Sequence, residues 1–147
     1  MAKTLPPTTI AAWARLLRAQ RLLLDAVEAD LKADGLPPLV WYDVLHELAE
    51  ADSGRLRHRD LSGAMLLAKH NLTRLIDRMA EAGLVERQAV DEDARGAFLA
   101  LTPKGREMRR AMWPVYRRAI EQHFADRLSE AEIATLAAIL GRLLGRG

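Results

Sequence analysis

No cysteine occurs anywhere in the chain. Disulfides, thiolate zinc sites and thiol redox sensing are therefore excluded together. Aromatic residues amount to only 5%, so a core has to lean on Leu, Ala, Val, Ile and Met. No apolar run approaches the roughly 18 residues of a membrane-spanning helix, so no membrane partner is expected. The opening MAKTLPPTTI has one lysine and no long apolar stretch, which does not read as a secretory leader. A cytoplasmic protein is the expectation. Strong net charge is missing too: the formal value is +2 over 147 residues, too small to argue for a polyanionic partner by itself. What is present is enough apolar material, 50% of the chain, for the core of one domain of this length.

The distribution of charge says more than its sum. Between Asp25 and Asp52 stand eight acids against Lys32 alone. From Gly54 to Arg78 the sign reverses, with Arg55, Arg57, Arg59, Lys69, Arg74 and Arg78 against Asp60 and Asp77. Such a switch can concentrate positive potential on one face, as phosphate binding requires.

Periodicity orders the chain into elements. Trp13, Leu16, Leu17, Leu23, Leu24, Val27 and Leu31 recur at helical spacing from about Thr8 to Ala33, and Gly35 with Pro37-Pro38 supplies the stop. A second helix carries Trp41, Val44, Leu45 and Leu48 and ends at the turn signal Asp52-Ser53-Gly54. Arg55-Leu56-Arg57 is long enough only for the edge of a small sheet. A brief helix is expected from Asp60 to Leu67, and another from about Lys69 to Ala82. The latter turns Leu72, Leu75, Ile76 and Met79 inward and Lys69, Asn71, Arg74 and Arg78 outward. Leu84–Gln88 and Ala97–Leu101 then read as the strands of a β-hairpin. Thr102-Pro103 starts a long helix, with threonine as cap and proline at the first helical position, and Pro114 is expected to bend it. Ser129-Glu130-Ala131-Glu132 is a capping box opening a last helix that carries Ile133, Leu136, Leu140, Leu143 and Leu144.

The fold class that follows is mainly α (α+β): a winged helix-turn-helix head with long N- and C-terminal helices. A third helix followed by a hairpin is the arrangement that enters the major groove, which is wide enough for an α-helix. One small head cannot cover the apolar stripes of both terminal segments. Pairing with a second copy is expected, with two recognition helices about 34–36 Å apart.

These residues also carry a resemblance. Leu72-Thr73-Arg74-Leu75-Ile76-Asp77-Arg78-Met79, then Glu81-Ala82-Gly83-Leu84-Val85, resembles the recognition helix of the MarR family and its exit into the wing. Asp93-Ala94-Arg95-Gly96, followed by Leu101-Thr102-Pro103-Lys104-Gly105, resembles that family's D-x-R-G wing and the L-T-x-x-G opening the next helix. The likeness spans nearly the whole chain. It implies a single domain over 1–147, with a DNA-binding head at about 38–102 and dimerisation helices at about 8–34 and 103–146. It further implies a sequence-specific transcriptional regulator: a homodimer on pseudo-palindromic double-stranded operator DNA, often a repressor relieved by a small aromatic or phenolic effector.

Carried over by residue, Arg95 matches the wing arginine that approaches the minor groove, and Asp93 the acid that positions it. A narrow minor groove has enhanced negative potential, which favours a guanidinium. Asn71 and Arg74 are candidates for base edges, since asparagine can pair bidentately with adenine and arginine with guanine. Lys69, Thr73 and Arg78 are assigned to phosphates, which position without specifying sequence; Arg55 and Arg57 are further phosphate candidates. Three departures stand out: Arg59 and Ala68 at the expected caps of the two head helices, and Ala94 where a second arginine is common. In the family, effectors occupy a crevice beside the long helices, for which Trp13, Tyr42, Asp43, His46 and Tyr116 are candidates, with Trp41 and Trp113 nearby.

Enzymatic function is not expected. The four histidines are scattered, with no nucleophile motif or glycine-rich phosphate loop, so no catalytic residue and no cofactor is assigned. His46-Glu47-Leu48-Ala49-Glu50 misses the H-E-x-x-H zinc helix by its last residue. No metal site is assigned, although His46, Glu50 and His123 leave a regulatory one open. The competing reading is a winged helix used for protein contacts, which would need apolar anchors on the recognition face.

Overall fold

Pro7 and the Pro37-Pro38 pair bracket the first helix, α1 (Pro7–Ala33). It stops at Gly35, where φ is +70° and the Leu36 N–H reaches back to the Leu31 carbonyl at 3.0 Å. This closure needs a left-handed residue, which glycine supplies without a Cβ penalty. The computed structural model describes residues 2–67, 71–89 and 97–145. Contacts divide the chain into two compact units, one of Met1–Asp30 with Tyr116–Gly147 and one of Leu31–Val115.

The central unit holds α2 (Leu39–Glu50), a 3-10 turn at Asp52–Gly54, β1 (Arg55–Arg57) and α3 (His58–Ala64). After them come α4 (Leu72–Glu81), β2 (Val85–Gln88), β3 (Phe98–Leu101) and the start of α5 (Pro103–His123). The three strands form one antiparallel sheet in the order β1-β3-β2. Leu56 stands opposite Leu99, and Val85 opposite Leu101. Val44, Leu45, Leu48, Leu61, Ile76, Met79, Leu84, Val85 and Met112 are fully enclosed and make the core on which the helices and the inner sheet face rest.

Two boundaries differ from the sequence reading. α3 begins two residues earlier than expected and ends at Ala64, because β1 passes straight into it: Arg57, not Arg59, is the N-cap, in an extended conformation. Asp60 thereby falls in the first turn, where a carboxylate meets the positive end of the helix dipole. α4 begins at Leu72 rather than Lys69, because Asn71 is left-handed (φ 58°, ψ 54°) and is itself the N-cap. A helix cannot run through that conformation, and asparagine is one of the few residues that tolerate it. Ala68 lies outside the described residues.

The wing's exit is tied by one threonine. Thr102 Oγ1 donates to the Gly83 carbonyl at 2.6 Å and accepts the Gly105 N–H at 3.0 Å. The Thr102 N–H donates to the Leu84 carbonyl at 3.2 Å. The turn after α4 and the first turn of α5 are thus sewn together. Gly105 is required there, since a Cβ would sit 2.1 Å from the Leu84 oxygen.

In the other unit, the first part of α1, the latter part of α5 and α6 (Glu130–Leu143) assemble. The expected capping box is present: Glu132 N–H donates to Ser129 Oγ at 3.1 Å, and Ser129 N–H to Glu132 Oε1 at 2.9 Å. α5 accommodates Pro114 without being broken in two. His123 Nε2 lies 2.9 Å from Asp30 Oδ2. None of the α6 residues is buried. Ile10, Trp13, Leu16, Leu17, Leu22, Ile139, Leu143 and Leu144 are exposed.

Candidate nucleic-acid interface

α4 is strongly amphipathic. Leu72, Ile76 and Met79 are buried, which leaves Thr73, Arg74, Asp77, Arg78 and Glu81 exposed on the opposite side, with Asn71 exposed at the cap. Arg74, Asp77 and Arg78 are related by one helical turn and share a face. Asp77 would oppose phosphate on that face. It is paired instead with Arg87 of β2, so its charge is met from the strand that leads into the wing. That pairing was not foreseen, because the two residues sit on different elements and no periodic signal links them. Asn71 makes no side-chain cap bond.

On the outer face of the sheet, the Arg55 and Arg57 guanidinium carbons lie 4.6 Å and 5.2 Å from the centre of the Phe98 ring. Arg55 also donates to Gln88 Oε1 at 3.4 Å. The hairpin's paired ends are Gln88 and Phe98, and the connection between them carries Asp93 and Arg95. These two, and Lys69, lie outside the described residues.

α2 brings together three of the effector candidates. Tyr42 is buried and stacks on His46 (centroids 5.6 Å apart) and on Trp113 (6.1 Å). Burial pushes the Tyr42 phenol above its ordinary value; the Arg109 cation opposes this and the Glu50 carboxylate adds to it. Asp43, 5% exposed, accepts the Leu67 N–H at 2.8 Å, so one carboxylate oxygen serves the chain leaving α3. Trp13, 64% exposed, and Tyr116 belong to the other unit.

Arg109, which the sequence did not single out, lies 3.0 Å from His46 Nδ1 and 3.4 Å from Glu50 Oε1. A guanidinium only donates, so Nδ1 accepts and the imidazole proton sits on Nε2. The guanidinium occupies the space between the two side chains proposed as metal ligands, while His123 is paired with Asp30. Among the described residues no cluster of three or more His, Asp or Glu is arranged to hold a metal ion. No helix among them is long and apolar enough to cross a membrane.

Comparison with known proteins places this arrangement. The sequence profile of the MarR family matches residues 34–96. The chain is 29% identical over 130 residues to the transcriptional repressor MprA of Escherichia coli K12, covering 88% of this chain and 73% of that one. Its fold superposes on AbsC, a MarR family transcriptional regulator from Streptomyces coelicolor, with a TM-score of 0.86 and 33% identity over 98% of this chain and 97% of AbsC. It superposes on Sco3205 of the same organism, a MarR family regulator solved in complex with DNA, with a TM-score of 0.88 and 29% identity, covering 100% of this chain and 91% of that one. By its winged head, its Thr102–Gly105 seam and these likenesses, the chain belongs to the MarR family of transcriptional regulators and is not an enzyme.

Proposed function

We propose that the chain is a repressor that binds a pseudo-palindromic operator as a homodimer in the cytoplasm, each subunit laying α4 in the major groove. The observation that carries this reading is the exposed side of α4. Arg74 and Arg78 stand there with Thr73, Asp77 is paired with Arg87 so that Glu81 in the last turn is the other acid of the helix, and no large apolar residue is exposed on that helix. A surface built to dock a protein would offer apolar or aromatic anchors instead. Arg74 and Asn71 are assigned to base edges; Lys69, Thr73 and Arg78 to phosphates; Arg95, positioned by Asp93, to the minor groove.

The exposed Leu, Ile and Trp side chains of α1 and α6 support pairing with a second copy, since scattered singly they would need no explanation but in rows they do. An aromatic or phenolic effector is proposed at Tyr42, Asp43 and His46, where aromatic rings already stack. Trp13 and Tyr116 are proposed as contacts on the strength of the family resemblance.

Selection of bound sequences from a random duplex pool at near-physiological salt tests the reading. The expected product is an inverted repeat whose half-sites are about one helical turn apart. Arg74→Ala should weaken binding to it and relax the preference at one base pair, a loss of about 1–3 kcal/mol. Arg95→Ala should weaken binding without unfolding the protein. No enriched sequence, with equal affinity for every duplex, would overturn the proposal.

A further inference from the structure

The α4 face and the wing leave one concentration of positive charge unexplained. Arg55 and Arg57 are alternate residues of β1, which is an edge of the sheet, so they project on the same side. Phe98 stands directly opposite Arg57 in the β1–β3 register, and both guanidinium groups converge on its ring. A ring's negative face attracts one cation readily. Two cations drawn to the same ring also repel each other, a cost that a bound anion would remove.

Among the described residues neither arginine forms an ion pair. Among the described strand residues the acid on this face, Glu86, is held by the Gln88 amide at 3.0 Å, and Gln88 turns its oxygen to Arg55. Gln88 therefore separates the carboxylate from the guanidinium and leaves the positive charge outward. Residues two apart in a strand are roughly 6.8 Å apart, comparable to successive phosphates along one nucleic-acid strand. Arginine's planar fork suits phosphate oxygens.

We propose that Phe98 is a positioning platform that holds Arg55 and Arg57 as a two-armed clamp on the backbone phosphates of bound duplex DNA. The clamp lies at the root of the wing, since Phe98 closes the hairpin with Gln88, and it extends the interface beyond α4. This inference rests on the DNA-binding reading above. It adds affinity and salt dependence but no sequence information.

The test is the salt dependence of duplex affinity, measured with the full chain and one fixed duplex. Each phosphate contact contributes about 0.9 to the slope of log K against log salt. Arg55→Ala/Arg57→Ala should lower the slope by about 1.8 for each head bound, with the preferred sequence unchanged. Phe98→Leu keeps both charges but removes the ring, and should lower the slope part of the way; Phe98→Tyr should restore it. A wild-type slope in the double arginine variant overturns the clamp while leaving the DNA-binding reading intact, because the wild-type chain still binds. A lowered slope there with a wild-type slope in folded Phe98→Leu overturns the platform. Should Phe98→Leu fail to fold, Phe98→Ile, which also removes the ring but keeps a side chain favoured in strands, decides the platform in its place. Absence of duplex binding by the wild-type chain overturns both readings.

Discussion

Replacing Gly105 by alanine sets two effects against each other. Helix propensity favours the change, because alanine is about 1 kcal/mol better than glycine inside a helix, and Gly105 lies in the first turn of α5. Packing opposes it. The new methyl would stand 2.1 Å from the Leu84 carbonyl oxygen, 3.1 Å from the Leu84 carbonyl carbon and 2.7 Å from Leu101 Cδ1. The leucine can turn away, but the carbonyl is backbone and must move by about an ångström to reach ordinary contact. That carbonyl accepts the Thr102 N–H, and the Gly83 carbonyl beside it accepts the threonine hydroxyl. Overpacking of this kind costs about 1–3 kcal/mol, and each lost hydrogen bond about 1 more. After the gain in propensity, a net loss of about 2–3 kcal/mol remains, or roughly 5–10 °C in Tm for a chain of this size.

Gly63 supplies the control. It too lies in a helix, yet a Cβ there would meet nothing within 4 Å, so Gly63→Ala should be neutral or slightly stabilising. Urea and thermal denaturation of both variants, at one fixed protein concentration because assembly makes Tm concentration-dependent, decide the matter. If Gly105→Ala is as stable as wild type, or both variants gain equally, the close approach at Leu84 does not constrain the fold and the reasoning fails.

Asp43→Ala leaves the Leu67 N–H without its acceptor and should destabilise by about 1–3 kcal/mol, whereas Asp43→Asn, which keeps an oxygen, should lose less; equal losses in chemical denaturation would refute a hydrogen-bonding role. Glu132 is held below the usual carboxylate range by the Ser129 backbone N–H first and its hydroxyl second. Its contribution to the start of α6 is therefore complete above the unfolded value and fades as pH falls through the folded one. Ser129→Ala should move the Glu132 titration part of the way back up in carboxyl NMR, and an unmoved titration would count against the capping box. For Tyr42 the raised phenol favours the neutral form, so its contribution is complete below the unfolded value and is lost as pH rises through the folded one. In a Tyr116→Phe background, Arg109→Ala should raise the phenolate absorbance transition further, since the cation now lowers it; a downward shift would contradict the assignment.

Legibility followed the range of the signal. Ser129 with Glu132, Thr102 with Pro103, and Gly35 after a long apolar stripe are chemistry written within a few residues, and each appears where the sequence puts it. Both strands of the wing fall within one residue of expectation. The start of α4 did not, because apolar spacing continues through Asn71 while its backbone does not: asparagine permits a left-handed turn but does not announce one. Arg87 with Asp77, Arg109 with His46 and Glu50, and the two arginines on Phe98 escaped for a different reason. Each joins residues on separate elements, and only the folded register selects those partners from many equivalent charges.

The left-handed Asn71, proposed above to meet a base edge, would constrain how this regulator changes its target. At Arg74, proposed above to meet a base edge, almost any side chain fits the regular helix, so new base preferences could be sampled there at little cost to folding. Asn71 has no such freedom. An ordinary side chain in that conformation costs about 1–2 kcal/mol, which confines the site to asparagine, aspartate or glycine. Of these only asparagine offers both a donor and an acceptor to a base. As proposed readers of one operator, the two positions would thus drift at different speeds, one open to substitution and the other held to a three-letter alphabet by its backbone.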